Sequence, residues 1–111
     1  MVQTITPHQA IELLSKGDLT IIDVREPHEW LTGHIPGSQL VPLARFRANP
    51  PAEIRSGAVL FVCAAGVRSE AAARLAASQG ATRVFNLGGG TRGWLRAGFP
   101  LETEATVTAA E

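Results

Sequence analysis

The chain's one cysteine, Cys63, closes the apolar run Ala58-Val59-Leu60-Phe61-Val62 and is followed by Ala64-Ala65-Gly66-Val67-Arg68-Ser69 and then an alanine-rich stretch. Apolar strand, short loop of small residues, helix: this order can build a cradle for an anion. Ala64 and Ala65 have little bulk, and Gly66 can take the positive φ of a tight curve, so successive backbone N–H groups are free to turn inward. A helix beginning near Ser69 adds its unpaired amides and the positive end of its dipole, and Arg68 adds a permanent charge. A thiol that would titrate near roughly 8.5 falls to about 3.5 to 7.5 in such surroundings. The expected chemistry is therefore that of a thiolate nucleophile at Cys63, with Ala64, Ala65, Gly66, Val67, Arg68 and Ser69 forming the binding loop.

A lone free cysteine more often only packs, because free thiols are among the most buried side chains. A packing role, however, requires neither a small-residue turn nor an arginine at the mouth of a helix. With no second cysteine in the chain to resolve a disulfide, whatever is attached to Cys63 must leave with an outside acceptor. That favours group transfer over dithiol redox chemistry. The same cradle would hold a thiolate, an oxyanion or a persulfide R–S–S⁻.

The elements that must position this loop are legible in outline. Leu19 to Val24, Ala58 to Cys63 and Arg83 to Leu87 are short apolar runs rich in β-branched residues, as expected of strands covered on both faces, and Thr4-Ile5 and Gln39 to Val41 are weaker candidates. Helices are expected over 7 to 16, opened by the capping pattern Thr6-Pro7-His8-Gln9; from Pro27 to the stop at Gly33; from Pro42 to about Ala48; from Ser69 to Gln79; and over Trp94 to Ala97. The segment holding Pro50 and Pro51 reads as loop. Strands alternating with helices predict an α/β fold with a parallel sheet and helices on both faces, in which reactive groups gather beyond the carboxyl ends of the strands. Cys63 falls at such an end.

Composition narrows the classes further. The 111 residues suit one domain, expected over 1–101, with a polar tail over 102–111. Ten basic residues balance ten acidic ones, no Lys/Arg run occurs and Tyr is absent, so a nucleic-acid partner is not expected. No run of eighteen apolar residues and no leader pattern appears, so neither membrane insertion nor export is expected. A single cysteine suits a reducing cytoplasm. His8, His28 and His34 form no i, i+4 pair or ligand cluster, so no metal or organic cofactor is expected, and His34 is read as fixing its turn by a hydrogen bond.

Three blocks together resemble the rhodanese family of sulfurtransferases. They are Asp23-Val24-Arg25-Glu26 with Glu29 and Gly33-His34-Ile35-Pro36-Gly37; Cys63 to Ser69; and Val84-Phe85-Asn86-Leu87 with Gly89-Gly90, Trp94 and Gly98-Phe99-Pro100. The resemblance runs from Ile5 to about Leu101. It implies a rhodanese-like, five-stranded parallel sheet and a cysteine that carries sulfane sulfur as a persulfide. On that basis Cys63 is the nucleophile, Ala64 to Ser69 supply the amide cradle, and Arg68 orients an anionic donor such as thiosulfate. Cyanide or a thiol would be the acceptor, and a protein sulfur donor or acceptor is a further partner to consider. The loop lacks the basic residue that thiosulfate-specific two-domain relatives place directly after the cysteine, where this chain has Ala64.

Two other functions compete. Cysteine phosphatases also set a thiolate beneath an arginine at a helix start, but their loop is one residue longer than the four residues between Cys63 and Arg68, and no general acid for a leaving alcohol is evident. A sulfur carrier or thiol-sensing module would use the same Cys63 without turnover on small molecules. Gly88-Gly89-Gly90-Thr91-Arg92-Gly93 fits a dinucleotide pattern formally, but only eighteen residues follow it, so it reads as a tight turn that lets Trp94 pack on the sheet. Asp23 and Arg25 are read as supporting residues in an ion-pair network with Glu26 or Glu29. Trp30 and Trp94 read as core or pocket wall.

Overall fold

The structure is a computed structural model that describes residues 1–103. Five strands, β1 (Val2–Ile5), β2 (Leu19–Asp23), β3 (Gln39–Leu40), β4 (Ala58–Val62) and β5 (Arg83–Leu87), form one sheet in the order β1-β5-β4-β2-β3. Every pairing is parallel. The helices are α1 (Pro7–Ser15), α2 (Pro27–Leu31), α3 (Leu43–Ala48), α4 (Val67–Ser78) and α5 (Gly90–Arg96), with one 3-10 turn at Ala52–Arg55. The fold is the α/β architecture that the alternation of elements predicts.

The sheet is covered on both faces because its strands are apolar on both. All five residues of β4 are buried, and they alternate between two cores. Val59 and Phe61 face a core with Ile22, Val84, Phe46 of α3, Ile54, and Ala72, Ala73 and Ala76 of α4. Leu60 and Val62 face the other, with Ile5, Ile21, Leu87, Ala10 of α1 and Trp94 of α5. Each large side chain removed from water in this way contributes about 1.5–3 kcal/mol. The alanines of α4 let that helix lie close to the sheet, which fixes where its first turn falls.

Three expectations are corrected. α4 begins at Val67 and not at Ser69: Gly66, at φ 102°, ends the loop and lets Glu70 N donate to Gly66 O (3.3 Å). α5 begins at Gly90 and not at Trp94, because its first amides find partners elsewhere in the fold: Thr91 N donates to Cys63 O (2.9 Å) and Arg92 N to Ala64 O (3.2 Å). The proline-rich loop contains the 3-10 turn, which carries Ile54 into the core. The caps expected for α1 are present, with Thr6 Oγ1 accepting from Gln9 N (3.2 Å) and Gln9 Oε1 accepting from Thr6 N (2.9 Å). Of the tail expected over 102–111, Glu102 pairs with His34 in an antiparallel bridge; residues 104–111 lie outside the described residues.

The strand order reverses between β2 and β4, so the loops leaving these neighbours diverge at their carboxyl ends. β2 ends on Asp23, which is fully buried. Arg25 turns back on it, with Nη2 2.8 Å from Oδ2 and Nε 3.0 Å from Oδ1, and also donates to Gly33 O at 2.8 Å. Direct ion pairing of Arg25 is to Asp23, which lies within reach of both its backbone and its side chain, while the carboxylate of Glu29 pairs with Arg68. From Glu29, Arg25 takes a hydrogen bond at the backbone carbonyl (3.4 Å), and its charge adds a smaller share to the lowering of the Glu29 carboxyl.

Two stability outcomes follow. Asp23→Ala strands the buried Arg25 guanidinium and is expected to cost about 3–5 kcal/mol in denaturant unfolding. A Cβ at Gly90, whose φ is 60°, would run into the backbone of Cys63 and Ala64, so Gly90→Ala is expected to cost at least about 2 kcal/mol in the same measurement.

Candidate active site

The loop from Cys63 to Gly66 joins the end of central β4 to α4, and the carbonyls of Cys63, Ala64 and Gly66 are held from outside it. The first amides of α5 bind the carbonyls of Cys63 and Ala64, and Asn86 Nδ2 of β5 binds Gly66 O at 3.2 Å. With its carbonyls held outward, the loop's N–H groups are left to face the sulfur. Gly66 N lies 3.1 Å from Cys63 Sγ and Ser69 N 3.3 Å, while Ser69 Oγ lies at 3.3 Å. Among the loop residues singled out in the sequence, Gly66 and Ser69 therefore contact the sulfur directly. Val67 and Arg68 open α4, where amides lack partners within the helix.

The residue Cys63 is only 1% exposed and adjoins the α4 core. Burial pushes its thiol upward, but the Ser69 hydroxyl and the amides of Ser69, Ala65 and Gly66 outweigh it and hold the thiol below its ordinary value. The Ser69 hydroxyl has a single hydrogen and two neighbours that compete for it. It lies 2.6 Å from Asn86 Oδ1 as well as 3.3 Å from the sulfur. With Cys63 protonated, S–H can donate to Ser69 Oγ while Ser69 donates to Asn86; with Cys63 ionised, the Ser69 hydrogen is drawn to the sulfur.

Arg68 stands beside the loop, with its guanidinium turned toward α2. Its Nη1 is 2.7 Å from Glu29 Oε1 and its Nη2 is 2.9 Å from Glu29 Oε2. This bidentate pair, opposed in part by burial, lowers the Glu29 carboxyl to about 2, and Glu29 in turn raises Arg68 above its already high value. Glu29 Oε1 also accepts Glu26 N (3.0 Å) at the start of α2. Asp23 and Arg25 brace the neighbouring loop from beneath and do not contact the sulfur.

His34 stacks on Trp30 at 3.6 Å between ring centroids, with Nδ1 3.3 Å from Trp30 O. It ties the turn after α2 to Glu102, whose carboxylate lies 3.8 Å from Nε2. Trp94 is buried and donates to Pro100 O at 2.9 Å. A cleft of about 300 Å³ lined by Gln3, Ile5, Gln9, Glu12, Leu13, Lys16 and Phe85 lies along β1 and α1 and includes no residue of the cysteine loop.

Three residues bear on the site in ways the sequence did not suggest: Asn86 has no role in the sequence reading, Gly90 reads only as part of a tight turn, and Glu29 only as a partner for Asp23 and Arg25. Asn86 carried a signal, since it is a polar residue set between Phe85 and Leu87 in a strand and is buried with both ends of its amide bonded. Gly90 carried one too, as a glycine placed where a helix meets another backbone. Glu29 as the partner of Arg68 carried none, because 39 residues separate them. Ser69→Ala removes the hydroxyl donor and is expected to raise the Cys63 pKa, so that the pH dependence of iodoacetamide alkylation moves to higher pH.

Comparison with known proteins agrees with this geometry. A family model described as "Rhodanese-like domain" matches residues 6–97. The chain is 34% identical over 86 residues to a thiosulfate sulfurtransferase GlpE of Pseudoalteromonas translucida, covering 78% of this chain and 82% of the relative. It is 36% identical over 80 residues to a putative sulfur carrier protein YrkF of Bacillus subtilis, covering 72% of this chain and 43% of that one. Among solved structures, a rhodanese-related protein from Thermoplasma volcanium superposes with a TM-score of 0.82 at 29% identity, covering 92% of this chain and 99% of its own. With its cysteine at the end of the central strand and its amide loop closed by the helix behind it, the chain belongs to the rhodanese-like domain family.

Proposed function

We propose that this chain is a sulfurtransferase that carries sulfane sulfur as a persulfide on Cys63, taking it from a donor such as thiosulfate and passing it to cyanide or a thiol. The observation that carries this reading is the set of donors around Cys63 Sγ, namely Gly66 N at 3.1 Å, Ser69 N at 3.3 Å and Ser69 Oγ at 3.3 Å. They favour negative charge on sulfur, and negative sulfur is both the attacking group and the form in which a persulfide is carried. Membership of the rhodanese-like family and the likeness to thiosulfate sulfurtransferases support it at the level of reaction class.

In the first step the Cys63 thiolate attacks the outer sulfur of thiosulfate. A bond forms between the two sulfurs, the bond to the sulfonate sulfur breaks, and its electron pair leaves with sulfite. Cys63 is then a persulfide anion, and amides of the loop face its charge as they faced the thiolate's. In the second step a nucleophile attacks the terminal sulfur and takes it, and the electron pair of the broken bond returns to Cys63 as thiolate. Cyanide leaves as thiocyanate and a thiolate as its own persulfide. No external oxidant or reductant enters, which suits a chain with one cysteine working in a reducing cytoplasm.

The second reading is a sulfur carrier that loads from a protein donor, favoured by the likeness to a putative sulfur carrier. The two separate on one experiment. Incubated with thiosulfate, the chain is expected to gain the mass of one sulfur atom and lose it on addition of cyanide, with thiocyanate produced over many turnovers. Cys63→Ser is expected to remain folded and to lose at least about a thousandfold in turnover. Full activity in that variant overturns the sulfurtransferase reading, and loading only from a persulfidated protein selects the carrier.

A further inference from the structure

The charges around the cysteine loop are arranged in a way that the transfer reaction does not require. An anionic donor would be drawn in most strongly by an uncompensated arginine at the mouth, yet Arg68 meets a carboxylate through both Nη atoms at 2.7 and 2.9 Å. Glu29 comes from a different loop, reaching across from α2, and its hold on Glu26 N keeps it oriented for that contact. The carboxyl is held at about 2, so it is ionised throughout the neutral range. The pair is partly open to solvent, with side-chain exposures of 37% for Arg68 and 24% for Glu29, so its field reaches a molecule approaching the loop. Beside it Val67, 77% exposed, presents an apolar surface in place of a polar one.

We propose that Glu29 is a specificity-determining residue: by offsetting the charge of Arg68 beside the Cys63 loop, it weakens the pull on doubly charged inorganic donors and shifts selection toward organic persulfides of lower charge. This rests on the reading of Cys63 as the group that receives sulfur, and it narrows the donor class for that group. The physical basis is a difference of binding free energies. A compensated pair attracts a dianion little more than a neutral molecule, whereas an unpaired arginine discriminates between them strongly. An organic donor that covered the exposed Val67 would gain apolar burial that inorganic thiosulfate cannot.

The alkylation of Cys63 by iodoacetate and by iodoacetamide measures the local charge directly, since the two reagents differ in charge and both proceed by thiolate attack with loss of iodide. In Glu29→Gln, where the amide oxygen can still accept Glu26 N, the rate ratio of iodoacetate to iodoacetamide is expected to rise roughly three- to tenfold. In Arg68→Gln it is expected to fall by a similar factor, and in the double variant to return to the wild-type value. The KM for thiosulfate is expected to fall in Glu29→Gln with kcat little changed. An unchanged ratio in both single variants, a double variant that keeps the raised ratio, or an unaltered KM for thiosulfate overturns the proposal. A wild-type chain that takes up no sulfur from any donor overturns the sulfurtransferase reading instead, and the alkylation ratios then report separately on the charge offset.

Discussion

A negative sulfur atom in a nearly closed site exists only if hydrogen-bond donors replace the water it has lost. At Cys63 the opposing effects are both visible. Burial favours the neutral thiol, and two amides and a hydroxyl within 3.3 Å favour the thiolate strongly enough to reverse the direction. Much of the molecule can be read as what is needed to keep those donors pointed at one spot. The α5 amides and Asn86 hold the loop's carbonyls outward, Gly66 supplies the backbone conformation that an L side chain resists, and the alanine face of α4 sets the first turn of that helix against the sheet. Preorganisation of this kind means that little reorganisation would be needed if charge moved from the thiolate to a persulfide, as proposed.

Around this centre the ionised groups come as pairs with unlike environments. Asp23 and Arg25 are buried and lock the end of β2 to the Gly33 turn, where an unpaired member would be a severe liability. Glu29 and Arg68 are half open, link α2 to α4, and so connect the two loops that diverge at the reversal of strand order. The first pair shapes the scaffold. The second stands beside the cysteine loop with both side chains partly open to solvent, which is why donor selection is proposed for it.

Much of this was legible in the residues. The three apolar runs were strands, the capping pattern at Thr6 and Gln9 was a helix start, and the cysteine lay at the end of a central strand because an all-apolar run such as Ala58 to Val62 is compatible only with burial on both faces. The starts of α4 and α5 were misplaced for one reason: both are fixed by contacts made far along the chain. Gly90 can lead a helix because Cys63 and Ala64 offer acceptors 26 and more residues upstream, and Gly66 can open one because its carbonyl is held by Asn86. Local propensity does not contain that information.

What the sequence determined by itself was the class of architecture, from its alternating periodicities, and the candidate for the reacting atom, a lone thiol next to a loop of small residues. Those properties are carried by neighbours along the chain, within the reach of one strand or one helical turn. The tertiary structure alone decided which donors meet the sulfur, that Ser69 answers to both Cys63 and Asn86, and that Arg68 spends its charge on Glu29. These contacts join residues from 6 to 39 positions apart, and the distances that make them strong are set only when the sheet brings its carboxyl ends together.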